Sequence, residues 1–229
     1  MKTITLAGLA LAPLFLRAPL AAQQAGRGAA LPQLAQELFL AETAYAQEQG
    51  EVQLTLHTRF EGGTHTRLLG EYGVTDRFQV QALSPALEDG GEGDEGAYEA
   101  GVLFALIPGQ APVALSVAMD VSLQHGEAPQ WEPALIAARQ FGPVQLHGAV
   151  STELGEPADA VTGTLAALFD AGRLTPTLEL VMQGADDDFV VPGLFAHPHE
   201  HVEVGVGAPI CIGCRRSLRE VRLMLTVEP

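Results

Sequence analysis

The sequence predicts an all-β chain, an antiparallel transmembrane β-barrel of about twelve strands, following a cleaved signal peptide and a short N-terminal arm or helix. Three observations point there. Apolar residues recur at every second position from Glu51 to the end. The connections between these runs alternate between tight turns and longer acidic loops. The face opposite the apolar one is small or acidic, with few long basic side chains.

The chain opens on MKTITLAGLALAPLFLRAPLAAQ, with a cation at Lys2, an apolar run from Ile4 to Leu16 and the small pair Ala21-Ala22. These are the parts of a secretory signal peptide, so residues 1–22 are expected to be removed, with cleavage after Ala25 as the rival. The apolar run is too short to span a bilayer as a helix. Loss of Lys2 and Arg17 leaves ten of the twelve basic residues, all arginine, against 28 acidic ones. That balance repels a phosphate backbone and excludes nucleic acid as an expected partner. Residues 23–50 form the arm, with Leu31, Leu34, Leu38 and Phe39 at roughly helical spacing and no strand pattern.

From residue 51 to 229 the period is two. In PVALSVAMDVSL, Val113, Leu115, Val117, Met119, Val121 and Leu123 alternate with Ala114, Ser116, Ala118, Asp120 and Ser122. EVQLTLHTRF and HVEVGVGAPICI read the same way. Strands are expected near 51–60, 64–73, 76–85, 97–107, 111–124, 130–140, 143–153, 161–170, 174–183, 189–197, 201–212 and 218–228. Tight connections at Gly73-Val74-Thr75-Asp76, Pro108-Gly109-Gln110, Phe141-Gly142-Pro143, Asp170–Arg173 and around Pro198 alternate with EDGGEGDEG, HGEAPQ, LGEPADA and QGADDD. Short turns on one rim and long loops on the other are the asymmetry of a bacterial outer-membrane barrel, with both termini at the short-turn rim.

A secreted soluble β-barrel or sandwich binding a small ligand also alternates, but its apolar face points inward and its outer face needs solubilising charge. No lysine follows Lys2 to supply it. Lipid accounts for the aliphatic face, and a lumen accounts for the acids Glu71, Glu99, Asp120, Glu179 and Glu203 on the other. Phe60, Tyr72, Phe78, Tyr98, Trp131 and Phe169 fall near strand ends, as an interfacial girdle requires. The expected role is a passive channel or transporter for small cationic, neutral or apolar solutes, the five acids setting its selectivity. The alternative is a non-conducting structural or surface-binding barrel whose lumen is closed by the N-terminal arm and inward side chains.

The segment GEYGVTDRFQVQ, Gly70 to Gln81, resembles a recurring hairpin of the phenol-degradation-pathway outer-membrane proteins, a family of transporter-like barrels. Looser similarity extends to GEVQLTL, EPALIAARQFG and VPGLFAHPHEHVEVGVGAPI. The resemblance implies a barrel that takes up small, often apolar molecules. Residue by residue, the hairpin itself reads as turn chemistry at Gly73 and Thr75-Asp76.

No enzyme and no cofactor are expected. His147 and Ser151 share a strand face but lie about 14 Å apart at strand rise, beyond hydrogen-bond reach, and no nucleophile-elbow, zincin, P-loop or dinucleotide fingerprint occurs. His197, His199 and His201 with Glu200 are the weak metal candidates, and no metal site is expected from them. Cys211 and Cys214 are the only cysteines, so disulfides do not frame the fold. Arg215, Arg216, Arg219 and Arg222 crowd the outer-facing loop and the start of the last strand, near outer-leaflet lipid or the acidic loops. The expected setting is the outer membrane of a diderm bacterium, with membrane lipid, the outer-membrane assembly machinery and a small-molecule solute as partners.

Overall fold

In a computed structural model, the described residues are 34–35, 37–89, 97–108, 113–124, 126–154, 161–183, 188–212 and 220–229. The expected leader, residues 23–33 of the expected arm, Cys214 and Arg215, Arg216 and Arg219 lie outside them. The strands are β1 Val52–Phe60, β2 Thr64–Thr75, β3 Phe78–Leu83, β4 Leu87–Asp89, β5 Tyr98–Ile107, β6 Val113–Leu123 and β7 Gln130–Phe141. There follow β8 Val144–Thr152, β9 Val161–Phe169, β10 Leu174–Met182, β11 Asp188–His199, β12 Val202–Gly207, β13 Ile210–Ile212 and β14 Val221–Val227.

Each strand pairs antiparallel with its neighbours, and β14 returns to β1, with Leu54 opposite Val227 and Phe60 opposite Val221. The sheet is therefore a closed barrel of twelve staves. Two staves are interrupted. β4 continues β3 along β2, and β13 continues β12 along β11. Pro85 and Pro209 sit in the two breaks, where a residue without an N–H cannot donate to the ladder. Closure satisfies the backbone around the ring, the condition for crossing a hydrocarbon layer.

The burial pattern has the sense of a membrane barrel. On β1, Val52, Leu54 and Leu56 are 39–41 % exposed, while the intervening Gln53 and Thr55 are fully buried. On β6, Val117, Met119 and Leu123 face out and Ala114, Ser116 and Ala118 face in; on β12, Val204 and Val206 face out and Glu203, Gly205 and Gly207 face in. The aliphatic residues are thus the outer surface. Tyr72, Tyr98, Trp131 and Phe169 are exposed near strand ends, where an interfacial girdle belongs. Short turns at Gly142 and Gly172, both with positive φ, close one rim, and β1 begins and β14 ends at that same rim.

This orientation sets a first expected outcome. Val117→Arg places a charge on the lipid face in mid-strand and should cost about 2–4 kcal/mol of barrel stability. Ser122→Arg points inward beside Glu99, Asp120 and Glu132 and should fold normally. Denaturant titration of refolding into vesicles measures both, and equal losses would contradict the assignment of faces.

Candidate functional site: an occupied lumen

The described residues before β1 do not form a helix. The described residues between 34 and 47 run irregularly through the interior of the barrel and cross it from wall to wall. Leu34, Ala35, Leu38, Phe39 and Ala41 pack on Ala166, Leu168, Val191, Phe195 and Met224, from β9, β11 and β14. Ala44 and Tyr45 pack on the opposite wall, against Leu103, Ala114, Ile136, Ala138 and neighbouring alanines of β5 to β8. The roughly helical spacing of Leu34, Leu38 and Phe39 therefore serves packing by an irregular segment. The small inward residues of the strands make room for a stretch of the chain's own backbone.

Phe39 is a buried aromatic anchor. Its ring stacks on Phe195, with centroids 4.7 Å apart and planes 12° from parallel. It lies over Gly193, Gly205 and Gly207, and a Cβ at Gly207 would come within 2.8 Å of the ring. A larger residue at Gly193 or Gly207 would displace it, and one at Gly205 would strike its stacking partner Phe195 first. Gly73 has a similar role at the near rim, because a Cβ there would strike the Glu48 carbonyl. The sequence predicts a tight turn at Gly73. That residue sits instead inside β2 without a positive φ, and the turn is made by Thr75, whose Oγ1 accepts from the Arg77 and Phe78 amides.

Polar groups complete the seat. The Glu179 carboxylate accepts three consecutive arm amides, from Phe39, Leu40 and Ala41, at 2.8, 2.8 and 2.9 Å. Arg222 donates to the Phe39 carbonyl at 2.8 Å. Ser116 donates to the Ala44 carbonyl, and the Gln145 amide donates to the Tyr45 hydroxyl. The Gln47 amide N–H donates to Gln79, and its side chain donates to Gln53. Arm backbone groups inside the barrel that would otherwise lack partners are thus met by side chains, as burial demands.

The five acids named from the sequence occupy two different settings. Glu71, Glu179 and Glu203 are buried against the arm. Glu71 accepts from Gln53 and Gln79, and Glu203 lies 3.6 Å from His197. Glu99 and Asp120 instead line an open cavity of about 610 Å³ on the long-loop side, floored by Leu38–Glu42 of the arm. His57, Arg59, His65, Arg67 and Arg222 form one side of this vestibule, and Glu99, Asp120 and Glu132 the other.

The basic side is largely neutralised. Arg67 pairs with Glu99 at 2.8 Å, while Arg59 and Arg222 both reach Glu220. On the acidic side, Asp120 accepts from Gln81 at 2.8 Å. Among the described residues no arginine pairs with Glu42, Asp120 or Glu132. A smaller cavity of about 230 Å³, lined by Glu99, Asp120, Glu132 and Glu153, adjoins them. The vestibule therefore carries a surplus of negative charge.

The weak metal candidates are dispersed. His197 bonds Thr175 and approaches Glu203, His199 and His201 lie ring to ring at 5.7 Å, and His201 meets Glu200. Among the described residues no three His, Cys, Asp or Glu side chains are arranged to hold a metal ion. His147 bonds Gln145 and meets the edge of Tyr45. Cys211 is disulfide-bonded. The arm anchors Phe39 and Tyr45, and the seat residues Gly193, Gly205, Gly207 and Arg222, did not emerge from the sequence as parts of one site. The available signal was the pair of glycines two apart, at 205 and 207, on an inward face.

Comparison with solved structures places this architecture. The chain is similar to the KdgM porin in complex with disordered oligogalacturonate, at TM-score 0.59 and 10 % identity, covering 77 % of this chain and 97 % of the other. It is also similar to the COG4313 outer membrane channel from Pseudomonas putida F1, at TM-score 0.58 and 9 % identity, covering 81 % and 98 %. The NanC porin aligns at TM-score 0.53 and 9 % identity, covering 77 % and 98 %. No family model and no curated protein matches the sequence. The closed ladder, the aliphatic exterior and these neighbours define the fold as that of an outer-membrane β-barrel of the porin-like, twelve-stranded kind.

Proposed function

We propose that the protein is a passive outer-membrane channel for small solutes, of the transporter-like kind its Gly70–Gln81 hairpin resembles, with a lumen narrowed by its own N-terminal arm. In this reading it sits in the outer membrane of a diderm bacterium, is placed there by the outer-membrane assembly machinery, and catalyses no reaction. The observation that carries the reading is the vestibule of about 610 Å³, which is bounded toward the short-turn rim by the arm tip. Its surplus of carboxylates favours cations or neutral solutes over anions, because charge in a narrow low-dielectric passage acts more strongly than on an open surface.

Planar-bilayer recording tests this. The full-length protein should give step currents with a reversal potential of cation-selective sign in a salt gradient. Asp120→Asn with Glu132→Gln should reduce that preference without abolishing conductance. Anion preference in the native protein would overturn the electrostatic part. The depth at which the arm is seated favours a second reading, a closed structural or surface-binding barrel. Absence of current from both the native protein and variants with a released arm would select it.

A further inference from the structure

The arm meets the barrel wall with like charge at two places. Near its start, the Glu37 carboxylate and the buried Glu71 of β2 both accept from the single Gln53 side-chain amide, at 3.4 and 2.6 Å. Glu203 of β12 also faces Glu37. At the tip, Glu42 faces Asp120 of β6 and Glu132 of β7 across the vestibule floor. Among the described residues neither arm acid has an arginine partner. The charged groups that do hold the arm, Glu179 of β10 and Arg222 of β14, engage only its backbone.

We propose that the arm is a proton-controlled gate: Glu37 and Glu42 hold it in the lumen while they are neutral, and their ionisation against Glu71, Glu203, Asp120 and Glu132 drives it out toward the short-turn rim. Both acids are displaced in the direction this requires. Burial, then the charges of Asp120 and Glu132, pushes the Glu42 carboxyl up from 4.5 to about 7. Burial, then Glu71, holds Glu37 well above the ordinary carboxylate range. A released arm returns both carboxyls to water, where they ionise near 4.5. The seated arm thus retains protons that the released arm gives up. Seating is favoured in acid and weakens as the pH rises from 4.5 through about 7, and further as Glu37 ionises.

The gate's consequence for transport rests on the channel reading, but the position of the arm is measurable without current. Hydrogen exchange of the Phe39–Ala41 and Gln47 amides, corrected for intrinsic rates, is followed on the full-length protein in detergent at pH 5 and pH 8. In the native protein, protection should fall by on the order of a hundredfold, since each pH unit across the window of one group is about tenfold. Glu37→Gln with Glu42→Gln should keep the amides protected at both pH values, and conductance should follow the same pattern. Equal protection of the native arm at pH 5 and pH 8 overturns the proposal. So does an unchanged loss of protection in the double variant, which would assign the titration to the barrel acids, or a double variant unprotected at both. If protection falls as expected while no variant conducts, the gate stands and the channel reading fails.

Discussion

Phe39→Ala is expected to convert a mostly closed barrel into a conducting one. Phe39 is 3 % exposed, stacked on Phe195 and seated on three glycines. Truncating a buried phenylalanine to alanine costs about 3–5 kcal/mol where it packs in a core. Here that loss falls on the seating of the arm and not on the barrel, whose ladder closes through β1 and β14 without it. The open fraction should therefore rise by on the order of a hundredfold or more, read as sustained current in a planar bilayer, while heat-modifiable gel migration stays native. Gly207→Val, which drives a side chain into the Phe39 ring from the other partner, should act in the same direction. Native-like current from both variants would show that the arm does not limit passage.

The second large effect is expected at Glu179. Its two oxygens accept three backbone amides, and hydrogen bonds to a charged group contribute about 1.5–3 kcal/mol each. Glu179→Gln removes the charge and turns an acceptor into a donor facing an arm N–H. The tip should leave its seat, with faster exchange of the Phe39, Leu40 and Ala41 amides and a raised open fraction. Phe39→Ala and Glu179→Gln act on the same seated tip, so the double variant should conduct little more than either alone. Full additivity would mean that the ring and the carboxylate hold independent elements.

Strand order and facing were legible in the sequence because period two records which side of each strand meets lipid, and lipid tolerates few exceptions. Val117 and Ser116, or Val204 and Glu203, declare their sides without any knowledge of partners. The seat of the arm was not legible, because it is built from residues far apart in the chain. Phe39 and Glu179 are 140 residues apart, and Phe39 and Arg222 are 183 apart. Small inward residues suit an open pore and a filled one equally well, so Gly193, Gly205 and Gly207 carried no sign of what lies on them. Glu179 and Asp120 were indistinguishable for the same reason. Both are mid-strand acids on a polar face, and only the path of the arm separates a backbone acceptor from a vestibule wall.

The placement of the seat also orders the protein's assembly. The arm is the first part of the described chain to emerge, but the partners of its Phe39–Ala41 tip include residues of β10, β11, β12 and β14, so the receptor for the tip is finished only when the last strand has joined. Bringing such distant residues together carries the entropic cost of closing a long loop, and the sheet defrays it when β14 zips to β1. Full seating of the arm therefore requires a closed seam. A barrel stalled before its seam closes is expected to leave the arm open to protease, and a finished one with its arm seated to protect it.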